Sequence, residues 1–147
     1  MQISEFLSAD DCLVDVRAAD KDALLRELAA RAAAAAGLDG ATIISEIEKR
    51  EQLGSTGMGG GFAIPHARIA DLVRPVGVLA RLRRGIDFAA IDGKPVDLVF
   101  LLLLPAAAQG ESLPALAAVA RRLRDGPTAA RLRDAADHDE LYRAITG

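Results

Sequence analysis

The sequence predicts an α/β fold, a three-layer α/β/α sandwich, on three observations. Val96 to Leu104 (V-D-L-V-F-L-L-L-L) is almost continuously apolar, as a central strand covered on both faces must be. Helical spacing of apolar residues recurs in the chain on both sides of that run, which places helices against two faces of a sheet. No repeat, linker or composition break divides the 147 residues. That length can bury a core, so residues 1–147 are expected to form one domain.

The elements follow in order. Cys12 to Val16 (C-L-V-D-V) reads as a first strand. Asp20 stands at an N-cap position. From Lys21 to Ala36, Leu24, Leu25, Leu28 and the alanines give a helix with one apolar face, closed by Gly37. A second helix starts near Asp39 or Ala41, with Ile43, Ile44 and Ile47 at helical spacing. It ends around Leu53, so Arg50 lies in its last turn and leans towards the loop that Gly54 opens. Phe62 to Ile64 is a short strand running into Pro65-His66. Val76 to Leu82 is another strand, with Arg81 at its exposed end. Asp92-Gly93 marks a turn before the central strand. Glu111 to Arg124 is an amphipathic helix with Arg121, Arg122 and Arg124 outside, stopped by Asp125-Gly126-Pro127. Thr128 to Ala136 and Glu140 to Ile145 read as two short helices.

Composition removes several function classes. A formal charge of −3 argues against a general nucleic-acid binder. Cys12 is the sole cysteine, which excludes a disulfide framework and a cysteine-based metal site. It reads as a small buried apolar residue. The start, M-Q-I-S-E-F-L-S-A-D-D, is acidic where a signal peptide is basic and then apolar. Leu98 to Leu104 is too short to span a bilayer and ends at Pro105. The expectation is a cytoplasmic protein with no membrane insertion.

Arg50 to Arg68 (R-E-Q-L-G-S-T-G-M-G-G-G-F-A-I-P-H-A-R) holds five of the thirteen glycines and one of the two histidines, His66. Such a run loses much chain entropy on folding, and glycines let several N–H groups approach an anion closely. A histidine that accepts a phosphoryl group needs one neutral ring nitrogen free and the other hydrogen-bonded to a fixed acceptor. Pro65 restricts Ile64 to extended geometry and helps fix the ring. Charge on the transferred oxygens calls for donors. The candidates are the Arg50 guanidinium, the Ser55 and Thr56 hydroxyls, and glycine-loop amides including that of Gly57. Known nucleotide motifs do not fit. A Walker loop needs Lys and Ser or Thr after its last glycine, and here Gly60-Gly61 follow Gly59. In a dinucleotide fingerprint Phe62 would occupy the third glycine position, and the order here is helix, loop, strand.

The run G-S-T-G-M-G-G-G-F-A-I-P-H, with D-G-K-P-V-D-L-V-F-L-L-L-L-P after it, resembles the enzyme IIA domain of the fructose–mannitol class. That class belongs to the bacterial phosphoenolpyruvate-dependent sugar phosphotransferase system, and the resemblance is strongest to its nitrogen-regulatory branch. It covers nearly the whole chain and implies a mixed β-sheet within the sandwich. The family's histidine, phosphorylated by a small histidine-containing phosphocarrier protein, corresponds to His66. Its arginine upstream of the glycine loop corresponds to Arg50, with Glu51 beside it. Family members usually open the helix after the long apolar strand with a second histidine that helps stabilise the phosphoryl group. Here that stretch reads S-L-P-A-L-A and Ser112 takes the place. Ser112 can donate a hydrogen bond but cannot carry positive charge, which bears on onward transfer to a sugar permease.

Each candidate also has a plainer reading. Arg50 could be a helix-end cation complementing the dipole, and Ser55 and Thr56 could be turn residues. His138 reads as a solvent-facing residue opening the last helix, not as a metal ligand. Arg68, Arg74, Arg81, Arg83 and Arg84 read as solvated strand-end charges, with docking of an acidic-rimmed partner as the alternative. The resemblance implies a phosphocarrier in nitrogen-related regulation, with neither metal nor organic cofactor. Its partners would be a histidine phosphocarrier donor and regulated targets such as transporters or sensor kinases. The alternatives are a regulatory binding module that is not phosphorylated, and a fructose- or mannitol-type IIA serving a separate permease.

Overall fold

The computed structural model describes residues 1–107 and 109–147, with backbone alone for 109–111. Among these, β1 is Cys12–Val16, α1 Lys21–Ala36 and α2 Gly40–Leu53. β2 (Gly57–Gly59), β3 (Phe62–Ala63), β4 (His66–Ile69), β5 (Val76–Ile86) and β6 (Val96–Pro105) follow. The chain ends with α3 (Gln109–Arg124), α4 (Gly126–Asp134) and α5 (His138–Thr146), and two short 3-10 turns precede β1. The first two helices lie where their end signals put them. Asp20 accepts from the Ala23 amide at 2.9 Å and Asp39 from the Thr42 amide at 3.1 Å, each satisfying an orphan helix donor. Gly37 turns left-handed (φ 68°) to close α1.

The strands form one mixed sheet in the order β1-β5-β6-β3-β2. β1 is parallel to β5, β5 antiparallel to β6, and β3 parallel to β6. β4 also runs parallel to β6, further along the same strand, with His66 opposite Leu102. β3 and β4 are thus two pieces of one interrupted strand, broken at Ile64-Pro65.

Alternation along β6 separates two cores. Val99, Leu101 and Leu103 face α1 and α2, where they meet Leu24, Leu28, Ile43 and Ile47. Leu98, Phe100, Leu102 and Leu104 face the other way, onto Val119, Leu132, Leu141 and Ile145 of α3, α4 and α5. A strand buried on both faces has no position for a polar side chain, which is why Leu98 to Leu104 is unbroken.

Four expectations change. β5 runs on through Arg83, Arg84 and Gly85 to Ile86. Asp125-Gly126-Pro127 does more than end α3. Asp125 accepts from the Thr128 amide at 3.1 Å, and α4 starts at Gly126 with Pro127 inside its first turn and ends at Asp134, before Ala136. Arg81 is not a solvated strand-end charge. Its side chain is 12% exposed and its Nη1 donates to the Leu132, Arg133 and Ala135 carbonyls at 3.1, 3.1 and 2.5 Å. Arg122, expected outside, donates to the Ala144 and Ile145 carbonyls at 2.6 and 3.1 Å. Both arginines cap helix C-termini, where unpaired carbonyls and the dipole favour a cation.

Candidate functional site

His66 opens β4 at the interruption between β3 and β4. The sheet continues on both sides of the break, since the Leu102 amide bonds the Pro65 carbonyl at 2.9 Å. The Ile64 carbonyl instead accepts from His66 Nδ1 at 2.8 Å. A carbonyl can only accept, so Nδ1 carries the proton and Nε2 keeps the lone pair. The ring is half-buried. Burial lowers its pKa below the ordinary histidine value, the Ile64 bond opposes this, Arg50 adds to the lowering, and Glu51 raises it. At neutral pH the ring is therefore uncharged, the form a nucleophile requires.

His66 lines a shallow hollow of about 370 Å³ with Glu46, Lys49, Arg50, Leu53, Ala67 and Arg68. Three cations, Lys49 and Arg50 of α2 and Arg68 of β4, line the hollow with the ring. Arg50 is fixed by a bond from its Nη1 to the Gly54 carbonyl at 2.9 Å, so its helix-end role and its place beside the histidine coexist. Leu53, 85% exposed, adds an apolar edge.

The glycine loop behaves differently from the expected cradle. The Ser55 hydroxyl donates to the Phe88 carbonyl at 2.6 Å and accepts from the Gly57 amide at 3.0 Å. The Thr56 hydroxyl donates to Glu51 Oε1, and its amide donates to Glu51 Oε2 at 3.2 Å. These donors are engaged within the protein, and Ser55, Thr56 and Gly57 do not line the hollow at His66. Gly59, Gly60 and Gly61 form the β2–β3 turn with φ of 85°, 70° and 84°, a left-handed sequence only glycine adopts without strain. Much of the glycine content is explained by that turn.

Ser112 lies in the first turns of α3, 2% exposed, and does not line the hollow. Its hydroxyl is the one buried side-chain oxygen without a partner among the described residues. His138 sits in solvent at the start of α5, its Nδ1 donating to the Ala9 carbonyl at 3.0 Å. Among the described residues no group of three or more histidine, cysteine or acidic side chains could hold a metal, and no helix is long and apolar enough to cross a membrane. Cys12 is buried and burial pushes its thiol up to about 12.

Sequence reasoning found His66 and Arg50 and read Arg68 as a solvated strand-end charge, but missed Glu46, Lys49 and Leu53. Helical spacing from Arg50 offered a signal for two of those missed. Glu46, Arg50 and Leu53 follow each other at i+4 and i+3, which puts them on one face of α2.

A model of the phosphoenolpyruvate-dependent sugar phosphotransferase system EIIA 2 family matches residues 5–147. The nitrogen regulatory protein of Bradyrhizobium diazoefficiens is 41% identical over 145 residues, 99% of this chain and 95% of that protein. The nitrogen regulatory protein of Escherichia coli is 40% identical over 147 residues, 99% of this chain and 90% of that protein. The crystal structure of nitrogen regulatory protein IIA-Ntr from Neisseria meningitidis superposes with a TM-score of 0.92 at 33% identity, covering 98% of this chain and 99% of that one.

Proposed function

Because the chain belongs to the EIIA 2 family of the phosphoenolpyruvate-dependent sugar phosphotransferase system, among its nitrogen regulatory proteins, we propose that His66 is its phosphoryl acceptor. One observation carries this reading. Nδ1 is held by the Ile64 carbonyl, which leaves Nε2 unprotonated in a ring that shares its hollow with Lys49, Arg50 and Arg68.

In the proposed step the Nε2 lone pair attacks the phosphorus of a phosphohistidine on a carrier protein. The new N–P bond forms as the donor's N–P bond breaks and its electron pair returns to the donor nitrogen, while the proton stays on Nδ1, hydrogen-bonded to the Ile64 carbonyl. Arg50 is the direct electrostatic partner of the incoming oxygens. Ser55, Thr56 and Gly57 support the site by holding the segment between α2 and β3. Contact with the phosphoryl group would require them to exchange the bonds they now make. Ser112 replaces a residue that could carry charge, so its effect falls on onward transfer. The names of the relatives favour regulation over sugar transport. The added charge at His66 would then change which targets the adjoining surface binds.

The test is incubation with phosphoenolpyruvate, the general phosphotransfer enzyme and the histidine phosphocarrier. An acid-labile, base-stable adduct is expected on the wild type and absent from His66→Ala. Arg50→Ala should accept the group at least tenfold more slowly while staying folded, in keeping with the loss of one transition-state donor, roughly a hundredfold effect where the donor is essential. A wild type that gains no adduct would sink the proposal in favour of a binding module.

A further inference from the structure

We propose that Glu51 is a positioning residue for His66, acting through Thr56 and Ile64; the inference rests on His66 being the nucleophile. The Glu51 side chain is 6% exposed, and its Oε2 lies 2.8 Å from Lys21 Nζ. With Lys21 23% exposed the ion pair is part-buried, and such a pair is weak evidence of a stabilising role. Both Glu51 oxygens engage Thr56, one through its hydroxyl and one through its amide. The Thr56 carbonyl accepts from the Ile64 amide at 3.1 Å. The Ile64 carbonyl accepts from His66 Nδ1 at 2.8 Å. An unbroken series of contacts therefore runs from a fixed carboxylate to the imidazole.

The carboxylate itself is anchored from a second helix. Lys21, the first residue of α1, lies 4.5 Å above the Phe88 ring and 3.5 Å from the Phe88 carbonyl, the same carbonyl that holds Ser55. Glu51 also follows Arg50 directly in α2. One helical turn thus presents the guanidinium to the hollow and the carboxylate to the loop. Without Glu51, Thr56 and Ile64 are no longer tied to α2, and the acceptor at Nδ1 is held only by the pairing of Ala63 and Pro65 to β6. Which nitrogen of a histidine is protonated depends on the bond the other makes, so the reactive form weakens with the anchor.

The test uses Glu51→Gln, Thr56→Val, Thr56→Ser and the Glu51→Gln/Thr56→Val double variant of the full chain. Two readouts are taken: the His66 ring tautomer from long-range proton–nitrogen NMR on unphosphorylated protein, and the rate of adduct formation. Glu51→Gln and Thr56→Val should each reduce the Nδ1–H tautomer and slow acceptance roughly tenfold or more, as misplaced supporting groups do. Thr56→Ser should restore both, and the double variant should be no slower than the slower single one, since the two share one connection. If Glu51→Gln fails to fold, Thr56→Val still decides, because it leaves the Lys21–Glu51 pair intact. An unchanged tautomer in folded variants would overturn the inference, even with slower acceptance. A shifted tautomer with no adduct on wild type would support the positioning and overturn the phosphoryl reading instead.

Discussion

At the residue scale, the two histidines report opposite surroundings. Burial holds the His66 pKa below the ordinary value. The Ala9 carbonyl, helped by Asp139, raises that of His138. Titration followed by NMR should show His138 losing its proton above the unfolded histidine range and His66 below it. The linkage to stability has opposite signs. A depressed folded pKa means the unfolded chain binds more protons, so the His66 contribution is present above the unfolded pKa and is lost as pH falls through the window below it. The His138 contribution is present below the unfolded pKa and is lost as pH rises through its raised folded value. Merged titration curves would contradict both assignments. If His66 is the acceptor, its rate should hold through mildly acidic pH, where an ordinary histidine would already be protonated.

At the element scale, the β2–β3 hairpin is fixed by close approach to the segment before β6. A Cβ built on Gly57 would lie 2.8 Å from the Ala90 Cα and 2.9 Å from its Cβ. The obstacle is largely backbone and cannot swing away, so Gly57→Ala should destabilise the protein by about 1–3 kcal/mol. A lower urea midpoint with unchanged m-value would show it; an unchanged midpoint would mean that the hairpin yields. The same hairpin marks where sequence legibility ends. β1, α1 and α2 were readable because caps and apolar period agree on their limits. β2 was not, because glycines carry no side-chain alternation. β4 was missed because Pro65 interrupts the pattern and His66 and Arg68 take its outward positions. Asp125 was taken for a stop, although Asp followed by Gly and Pro is also how a helix begins.

At the scale of the whole molecule, charged side chains join the layers as much as the apolar cores do. Arg81 rises from β5 to the end of α4, and no local pattern announces this, since its three acceptors are backbone carbonyls remote in sequence. The Lys21–Glu51 pair was hidden for the same reason, while His66 and Arg50, close in sequence, were legible. Arg81→Ala should cost about 2–3 kcal/mol, as loss of a charged donor to partly buried acceptors does. Arg81→Lys should recover only part of it, because its single nitrogen cannot serve both the three carbonyls and Asp15, which Nη2 approaches at 3.6 Å. Equal denaturation midpoints for wild type and Arg81→Ala would refute that role. The break at Ile64-Pro65 has a consequence beyond the histidine. Strands at a sheet margin can recruit foreign chains into their ladder, and β4, paired with β6 alone, offers only a four-residue stub that begins just after Pro65. A margin this short is a poor template, which discourages copies of the protein from stacking edge to edge.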